Sequence, residues 1–189
     1  MDPFEETERF FKLVIWNVSR GNETPIRVQS YCPEDPQWIT NAWGSKNVAR
    51  KRPEGLFYQA AAAAKWVLGE KHGRLATVPS RSNVVVKLAD TEAVDLGLDD
   101  PAACRLAFFR IVPTFVITHR EAGTLHAVWL LNLPTAPPSL SDRVARQLKG
   151  TATKLIPVPG TFAHGGLYEF TETGLTYERT NLEAASGRS

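Results

Sequence analysis

The spacing of apolar residues divides this chain into helical and extended segments. Four segments repeat apolar residues at helical spacing and are predicted to be helices: 4–14, 56–68, 99–110 and 141–148. The first helix is preceded by Asp2 and Pro3, which are typical of a helix start. The second is followed by Gly69, which is typical of a helix end. Residues 180–189 lack apolar periodicity and are predicted to form a flexible tail.

Extended segments fill much of the remaining chain. Two-residue alternation or short apolar runs predict strands over residues 26–31, 74–78, 83–89, 114–118, 124–132, 154–158 and 167–170. The five residues from His119 to Gly123 separate two of these strands and indicate a hairpin. Residues 38–53 contain Asn, Gly, Ser and a basic run, which favour a loop or a short helical turn. The mixture predicts an α+β fold with a mixed or mostly antiparallel sheet and helices packed on it.

Composition limits the size and class of the protein. The chain has 189 residues, 43% hydrophobic and 22% charged, which suits one ordinary domain and excludes disorder throughout. We therefore predict a single domain over residues 1–179. Cys32 and Cys104 are too few for a metal cage or a secreted disulfide framework, and no apolar run is long enough to span a membrane. The simplest interpretation is a cytoplasmic protein without a membrane partner.

The net charge of +2 conceals a strong local segregation. Residues 41–83 contain eight basic and two acidic residues, whereas residues 84–104 contain one basic and five acidic residues. The basic segment carries the candidate nucleic-acid-binding residues Arg50, Lys51, Arg52, Lys65, Lys71, Arg74 and Arg81. The aromatic residues interleaved with them are Trp43, Phe57, Tyr58 and Trp66. Such a mixture suits phosphate contact and base stacking, although alternating solvated faces would give the same pattern.

Two acidic residues directly follow the valine-rich strand 83–89. In Asp90-Thr91-Glu92 the carboxylates stand two residues apart, so on an extended chain they share a face and could hold one divalent cation. Oxygen ligands suit Mg²⁺ or Mn²⁺, which are used where phosphates are bound and displaced. A solvated turn or a helix cap is the structural alternative.

A histidine within the strand 124–132 is a second candidate. Alternation places Thr124, His126 and Val128 on one face and Leu125 and Trp129 on the other. A histidine beside a threonine can donate to a phosphate oxygen, whereas a half-buried histidine with satisfied hydrogen bonds is the alternative.

A loop rich in proline and glycine, residues 157–166 (PVPGTFAHGG), is the third candidate. Its backbone N–H groups could face an anion, or it could only join two strands.

In this order the three elements resemble the archaeo-eukaryotic primase superfamily, in particular the primase-polymerase domains of plasmid and phage replication proteins. The resemblance covers about residues 56–166, and its most specific part is the segment GTLHAVWLLNLP from Gly123 to Pro134. It implies an RRM-like core that joins nucleotides with Mg²⁺ or Mn²⁺ in the replication of a plasmid, phage or mobile element. The implied partners are DNA, as single-stranded template or origin, nucleoside triphosphates, and a helicase or another replication protein.

The resemblance also implies roles for individual residues. Asp90 and Glu92 would bind the metal, and His126 would contact phosphate and complete the catalytic set. The further nucleotide and phosphate ligands would be Thr124, Arg120, Lys154, Gly160 and Thr161.

The sequence departs from the family pattern between the histidine strand and the Pro-Gly loop. The family places a third aspartate there, but residues 143–156 contain no acidic residue, and Pro157 stands where the family has an arginine. A shift of the alignment by a few residues would place Lys87 and Ala89 at the acidic pair. The alternative to an active enzyme is therefore a catalytically inactive primase-like domain that binds DNA or a replication partner.

Overall fold

The computed structural model describes residues 2–21, 26–30, 38–43, 53–68, 74–78, 83–89, 110–163 and 165–187. The helices in these ranges are α1 (Pro3–Gly21), α2 (Pro53–Leu68), α3 (Ser139–Gln147) and α4 (Arg179–Ala185). The strands are β1 (Ile26–Ser30), β2 (Trp38–Trp43), β3 (Arg74–Thr77), β4 (Asn83–Ala89), β5 (Phe115–His119), β6 (Thr124–Leu131), β7 (Thr151–Ala152), β8 (Leu155–Pro157), β9 (Phe162–Ala163), β10 (Gly166–Leu167), β11 (Glu169–Glu172) and β12 (Thr176–Tyr177). Helices combined with mainly antiparallel sheets confirm the predicted α+β class.

The chain forms two compact units, and each unit is built from two separate segments of the sequence. The first unit contains Met1–Pro79 and Lys154–Phe170, and the second contains Ser80–Thr153 and Thr171–Ser189. The extent of the single domain predicted over residues 1–179 stays a prediction. In the described part of the chain, no helix combines the length and the apolar character that crossing a bilayer requires.

The first unit is an antiparallel sheet with the strand order β2-β1-β3-β8, accompanied by α1 and α2. Helix α1 buries Phe10, Phe11 and Ile15, and it packs against α2, whose alanines allow the two backbones to approach closely. Strand β2 lies where a loop or helical turn was expected, because its backbone pairs with β1 from Ile26 to Gln29. Pairing with the preceding strand therefore overrides the local turn residues of this segment.

The second unit is built around β6, with the strand order β11-β5-β6-β4-β7 and β12 added in parallel beside the end of β6. One face of the sheet is covered by α3 and forms a buried core with Leu125, Ala127, Trp129 and Leu131 of β6. The Nε1–H of Trp129 donates to the carbonyl of Ile111 at 3.0 Å, which satisfies its polar atom inside that core. Leu125 and Trp129 therefore share one face of β6, as the alternation predicts.

A tight turn after α3 sets the edge of this second sheet. Lys149 adopts a left-handed backbone with φ of 51°, and the N–H of Gly150 donates to the carbonyl of Ala145 at 2.8 Å, which is a Schellman-type helix end. A Cβ on Gly150 would lie 2.5 Å from Leu88 Cδ2 and 2.7 Å from the carbonyl oxygen of Lys87. Only glycine lets the chain pass this close to β4, and β7 then pairs with β4 at Val86 and Lys87.

The end of the described chain differs from the expected flexible tail. Residues Arg179–Ala185 form α4, in which Leu182 is fully buried against the core of the second unit. The backbone N–H of Glu178 donates to Asn181 Oδ1 at 3.1 Å and caps the first turn. One buried leucine and a side-chain cap hold this helix, and neither gives a periodic signal in the sequence. The helix predicted over residues 99–110 lies almost entirely outside the described residues.

Candidate functional site

His126 lies at the centre of a row of side chains that crosses the second sheet. The register pairs it with Ile117 of β5 on one side and with Lys87 of β4 on the other, and Lys87 is paired in turn with Thr151 of β7. The valine-rich strand and the histidine strand are therefore neighbours in this sheet. Residues paired directly across antiparallel strands share a face, so Lys87, His126 and Thr151 project from one side of the sheet. We call these three residues the cross-strand row.

His126 is nearly buried within this row. Its side chain is 7% exposed, whereas Lys87 beside it is exposed. Burial, and then the positive charge of Lys87, lower the pKa of His126 from the ordinary value of 6.5 to about 3. The imidazole is therefore neutral at physiological pH and carries one N–H donor and one acceptor nitrogen.

One nitrogen of this imidazole has no polar contact in the described structure. His126 Nδ1 is buried, and among the described residues no donor or acceptor lies within hydrogen-bonding distance of it. A buried polar atom left without a partner costs about 1–3 kcal/mol, and such atoms often mark places where function opposes stability. This differs from the half-buried, satisfied histidine that was the structural alternative.

Removing the charge of Lys87 is expected to raise the pKa of His126. In Lys87→Met the electrostatic opposition to the imidazolium is lost, but the pKa is expected to remain below 6.5 because burial is the larger cause. An NMR titration of the imidazole Cε1 proton measures this shift directly. Arg146→Met, which removes an exposed charge from α3 on the other face of the sheet, is the control and is expected to leave the pKa unchanged. An unchanged or lower pKa in Lys87→Met would contradict the interpretation.

The hairpin between β5 and β6 carries two further predicted residues. Thr124 is half-buried at the start of β6, paired with His119 and with Ala89. Arg120 is exposed in the turn, where its carbonyl accepts the N–H of Gly123 at 3.0 Å. His119 is buried, and its Nδ1 accepts the backbone N–H of Ala122 at 3.0 Å, which holds the turn together. The sheet therefore places Arg120, Thr124 and His126 on one hairpin.

The Pro-Gly-Thr loop belongs to the first unit. The N–H of Gly160 donates to the carbonyl of Tyr168 at 2.9 Å, and the N–H of Thr161 donates to the carbonyl of Val158 at 3.3 Å. Thr161 is 3% exposed, and its hydroxyl donates to the same carbonyl at 2.6 Å. These groups are engaged within the chain, and the assignment of Gly160 and Thr161 as phosphate ligands stays a prediction.

The remaining predicted residues are placed only in part. Lys65 is exposed on α2, Lys154 is exposed beside β8, and Arg74 begins β3, all in the first unit. The predicted site residues outside the described ranges are Asp90, Glu92, Arg50, Lys51, Arg52, Lys71 and Arg81. Their assignments stay predictions, as do those of the described residues. The last described residue before the acidic pair is Ala89, whose backbone pairs with Thr124.

The architecture is shared with a protein of known structure. The described fold is similar to that of the AEP domain of the primase-polymerase of cyanophage S-2L, with a TM-score of 0.53 over 95% of this chain and 98% of that chain. The chain has the fold of a primase-polymerase domain. Sequence identity over the alignment is 13%, so the likeness concerns the fold alone. No protein-family profile and no curated protein matches the sequence.

Among the described residues, the direct strand partners of His126 offer no ligand for a divalent cation. In this primase-polymerase fold the positions directly opposite His126 are occupied by Ile117 and Lys87, an alkyl group and an ammonium. Burial is the larger cause of the lowered pKa of His126 and the charge of Lys87 the smaller one, and the same positive charge would repel a cation placed beside the imidazole. Within the described ranges, no three His, Cys, Asp or Glu side chains group closely enough to hold a metal ion. Asp90 and Glu92 come one to three residues after the last described pair of β4.

Sequence reasoning missed Lys87 as a site residue. A lysine in the middle of a hydrophobic strand was a visible signal, because its neighbours Val86 and Leu88 are apolar. Its alignment with His126 depends on the register between β4 and β6, which the sequence of either strand alone does not specify.

Proposed function

We propose that this chain is a primase-polymerase-like domain that binds DNA in the replication of a phage, plasmid or mobile element without joining nucleotides itself. The observation that carries the proposal is the pairing of Lys87 with His126, because it puts a positive charge on the sheet face beside the histidine. The primase-polymerase fold supports the general class of function.

The charge distribution supports DNA as the ligand. The basic segment from residue 41 to 83 lies within the first unit apart from its last four residues, and its described lysine, Lys65, is exposed on α2. Exposed basic side chains release counterions when they neutralise phosphates, which drives binding without sequence preference. Single-stranded DNA is the proposed ligand because aromatic residues accompany these charges in the segment.

Nucleotide joining is the activity that separates the proposal from an active primase. The purified chain is incubated with a single-stranded template, nucleoside triphosphates and either Mg²⁺ or Mn²⁺, with and without a primer, and products are resolved by length. The expected result is no product beyond that of the variant Asp90→Ala/Glu92→Ala. Template-dependent product that disappears in that variant would overturn the proposal and favour the active enzyme.

DNA binding is expected to weaken steeply with salt. With about four phosphate contacts on a single strand, affinity is expected to fall about fifty-fold between about 50 and 200 mM salt. Fluorescence anisotropy with a labelled oligothymidylate measures this dependence. The triple variant Arg50→Gln/Lys51→Gln/Arg52→Gln is expected to bind more weakly with a shallower salt slope, whereas Arg146→Gln on α3 serves as the control. Absent or salt-independent binding would contradict the proposed function.

A further inference from the structure

A short β-hairpin in the first unit carries two large apolar residues on its surface. Strands β9 and β10 pair antiparallel, with Leu167 directly opposite Phe162. Phe162 is 55% exposed and Leu167 is 43% exposed. Residues paired in this way share a face and have Cβ atoms about 4.5–5.5 Å apart, so the two side chains form one exposed apolar surface. We call these two residues the hairpin patch.

The base of this hairpin is fixed by hydrogen bonds within the first unit. The N–H of Gly160 donates to the carbonyl of Tyr168 at 2.9 Å, and the N–H of Tyr168 donates to the carbonyl of Thr161 at 3.1 Å. Thr161 and Tyr168 are both buried. The hydroxyl of Thr7 on α1 donates to the carbonyl of Pro159, just before the hairpin, at 2.6 Å. An anchored base presents the hairpin patch in one position, which lowers the entropy that a ligand loses on binding.

The charges around the hairpin favour an anionic ligand. Residues 154–168 contain no acidic residue, and Lys154 at the start of this segment is exposed. Arg74 begins β3, the strand that pairs with β8 shortly before the hairpin. Glu169 follows the segment, and burial first and then the charge of Glu169 raise the pKa of Glu6, so this carboxylate lies near α1.

We propose that the hairpin patch stacks on a base of single-stranded DNA through the ring of Phe162, with Leu167 packed beside that ring. This deepens the proposed function, on which it rests, because it adds a contact to the bases to the phosphate contacts of the basic segment. An aromatic ring stacks on any base, since every base has a π face, and the contact therefore adds affinity without sequence preference. A protein partner would instead bury the same two side chains without needing an aromatic ring.

A purely structural role for the pair gives a different expectation. Apolar pairs across two strands stabilise a hairpin, and leucine opposite Leu167 would serve that purpose nearly as well as phenylalanine. Stacking on a base needs a flat ring. Substitution of Phe162 by leucine and by tryptophan therefore separates the two roles, because only tryptophan keeps an aromatic face.

The test measures binding of the full chain to a labelled oligothymidylate by fluorescence anisotropy at several salt concentrations. Phe162→Trp is expected to bind within about threefold of wild type, and Phe162→Leu is expected to bind about tenfold more weakly. The salt slope is expected to be the same in both variants and in wild type, because it reports phosphate contacts and not stacked bases.

Two controls accompany this measurement. Leu175→Ala shortens a similarly exposed apolar side chain in the second unit and is expected to bind as wild type does. An abasic oligonucleotide of the same length offers phosphates without bases, so wild type and Phe162→Leu are expected to bind it equally. Because Phe162 and Leu175 are exposed, circular dichroism and thermal unfolding are expected to show that all variants fold.

A loss of affinity in Phe162→Leu that is restored in Phe162→Trp and absent on the abasic strand supports the proposal. Equal affinity of Phe162→Leu and wild type for oligothymidylate, or an equal loss on both strands, would overturn it. A dimer in analytical ultracentrifugation that Phe162→Leu abolishes, with unchanged DNA affinity, would assign the hairpin patch to a second copy of the chain. Salt-dependent DNA binding would survive these outcomes, whereas its absence in wild type would overturn the proposed function itself.

Discussion

Replacing Gly160 with alanine is expected to lower the free energy of unfolding by about 3–4 kcal/mol. Gly160 has a φ of 78°, a conformation that strains any residue with a Cβ. An added Cβ would also overlap the carbonyl oxygen of Pro3 and lie 2.5 Å from Thr7 Oγ1. Thr7 is fully buried and its hydroxyl donates to the carbonyl of Pro159 at 2.6 Å, so this part of α1 cannot easily shift to make space for the added Cβ. Urea unfolding followed by tryptophan fluorescence measures the loss.

Gly165 provides the matched control for this substitution. It has a φ of 86° in the same unit, but an added Cβ would meet nothing within 4 Å. Gly165→Ala is therefore expected to cost only the backbone strain, about 1 kcal/mol. Equal losses for the two variants would show that the contact with α1 is unimportant. A larger loss of unfolding free energy in Gly160→Ala than in Gly165→Ala would mean that Gly160 is required for packing, whether or not it also contacts a ligand.

Acidification is expected to destabilise the protein through His126 by about 2 kcal/mol between pH 7 and 5. The pKa of His126 is lowered to about 3 in the folded protein, and an unfolded histidine has its ordinary value of 6.5. Well above pH 6.5 the imidazole is neutral in both the folded and the unfolded state, so it does not change the free energy of unfolding. As the pH falls below 6.5, the unfolded state binds a proton that the folded state does not, and the slope of stability approaches about 1.4 kcal/mol for each further pH unit.

The variant His126→Gln isolates this contribution, because it keeps a polar side chain that does not titrate. The free energy of unfolding, measured with urea at several pH values between 7 and 5, is expected to fall less steeply in the variant than in wild type. Glu6 contributes the opposite slope, since burial raises its pKa above 4.5, but it does so in both proteins. Equal slopes for wild type and His126→Gln would mean that the imidazole is solvated and not buried beside Lys87.

Elements with strong local signals were predicted closely from the sequence. Strand β4 has the predicted bounds of Asn83–Ala89, because three adjacent valines between polar residues leave little choice of structure. The β5–β6 hairpin was also predicted, since its turn ends on Gly123, which adopts a φ of 56°. Strand β2 and helix α4 were not, because pairing with β1 stabilises the strand and a single buried residue, Leu182, stabilises the helix.

The sequence predicted His126 as a site residue, but it did not predict that Lys87 lies opposite it. Alternation along β6 places His126 away from the core formed by Leu125 and Trp129, and this holds in the structure. The identity of the group facing His126 depends on how two strands separated by a long connection align. A change of register by one residue would replace Lys87 by an apolar neighbour, so only the paired sheet reveals the lysine.

The first unit is interrupted along the chain by most of the second unit, and this affects the order of folding during protein synthesis. Strand β8 completes the sheet begun by β1, β2 and β3, yet about seventy residues of the other unit emerge from the ribosome before it. Until Leu155–Pro157 has been synthesised, the edge of β3 in the nascent chain therefore has no β8 to pair with. Chains that stop short of this strand are expected to aggregate or to recruit chaperones, even though every residue of α1 and α2 has already been made.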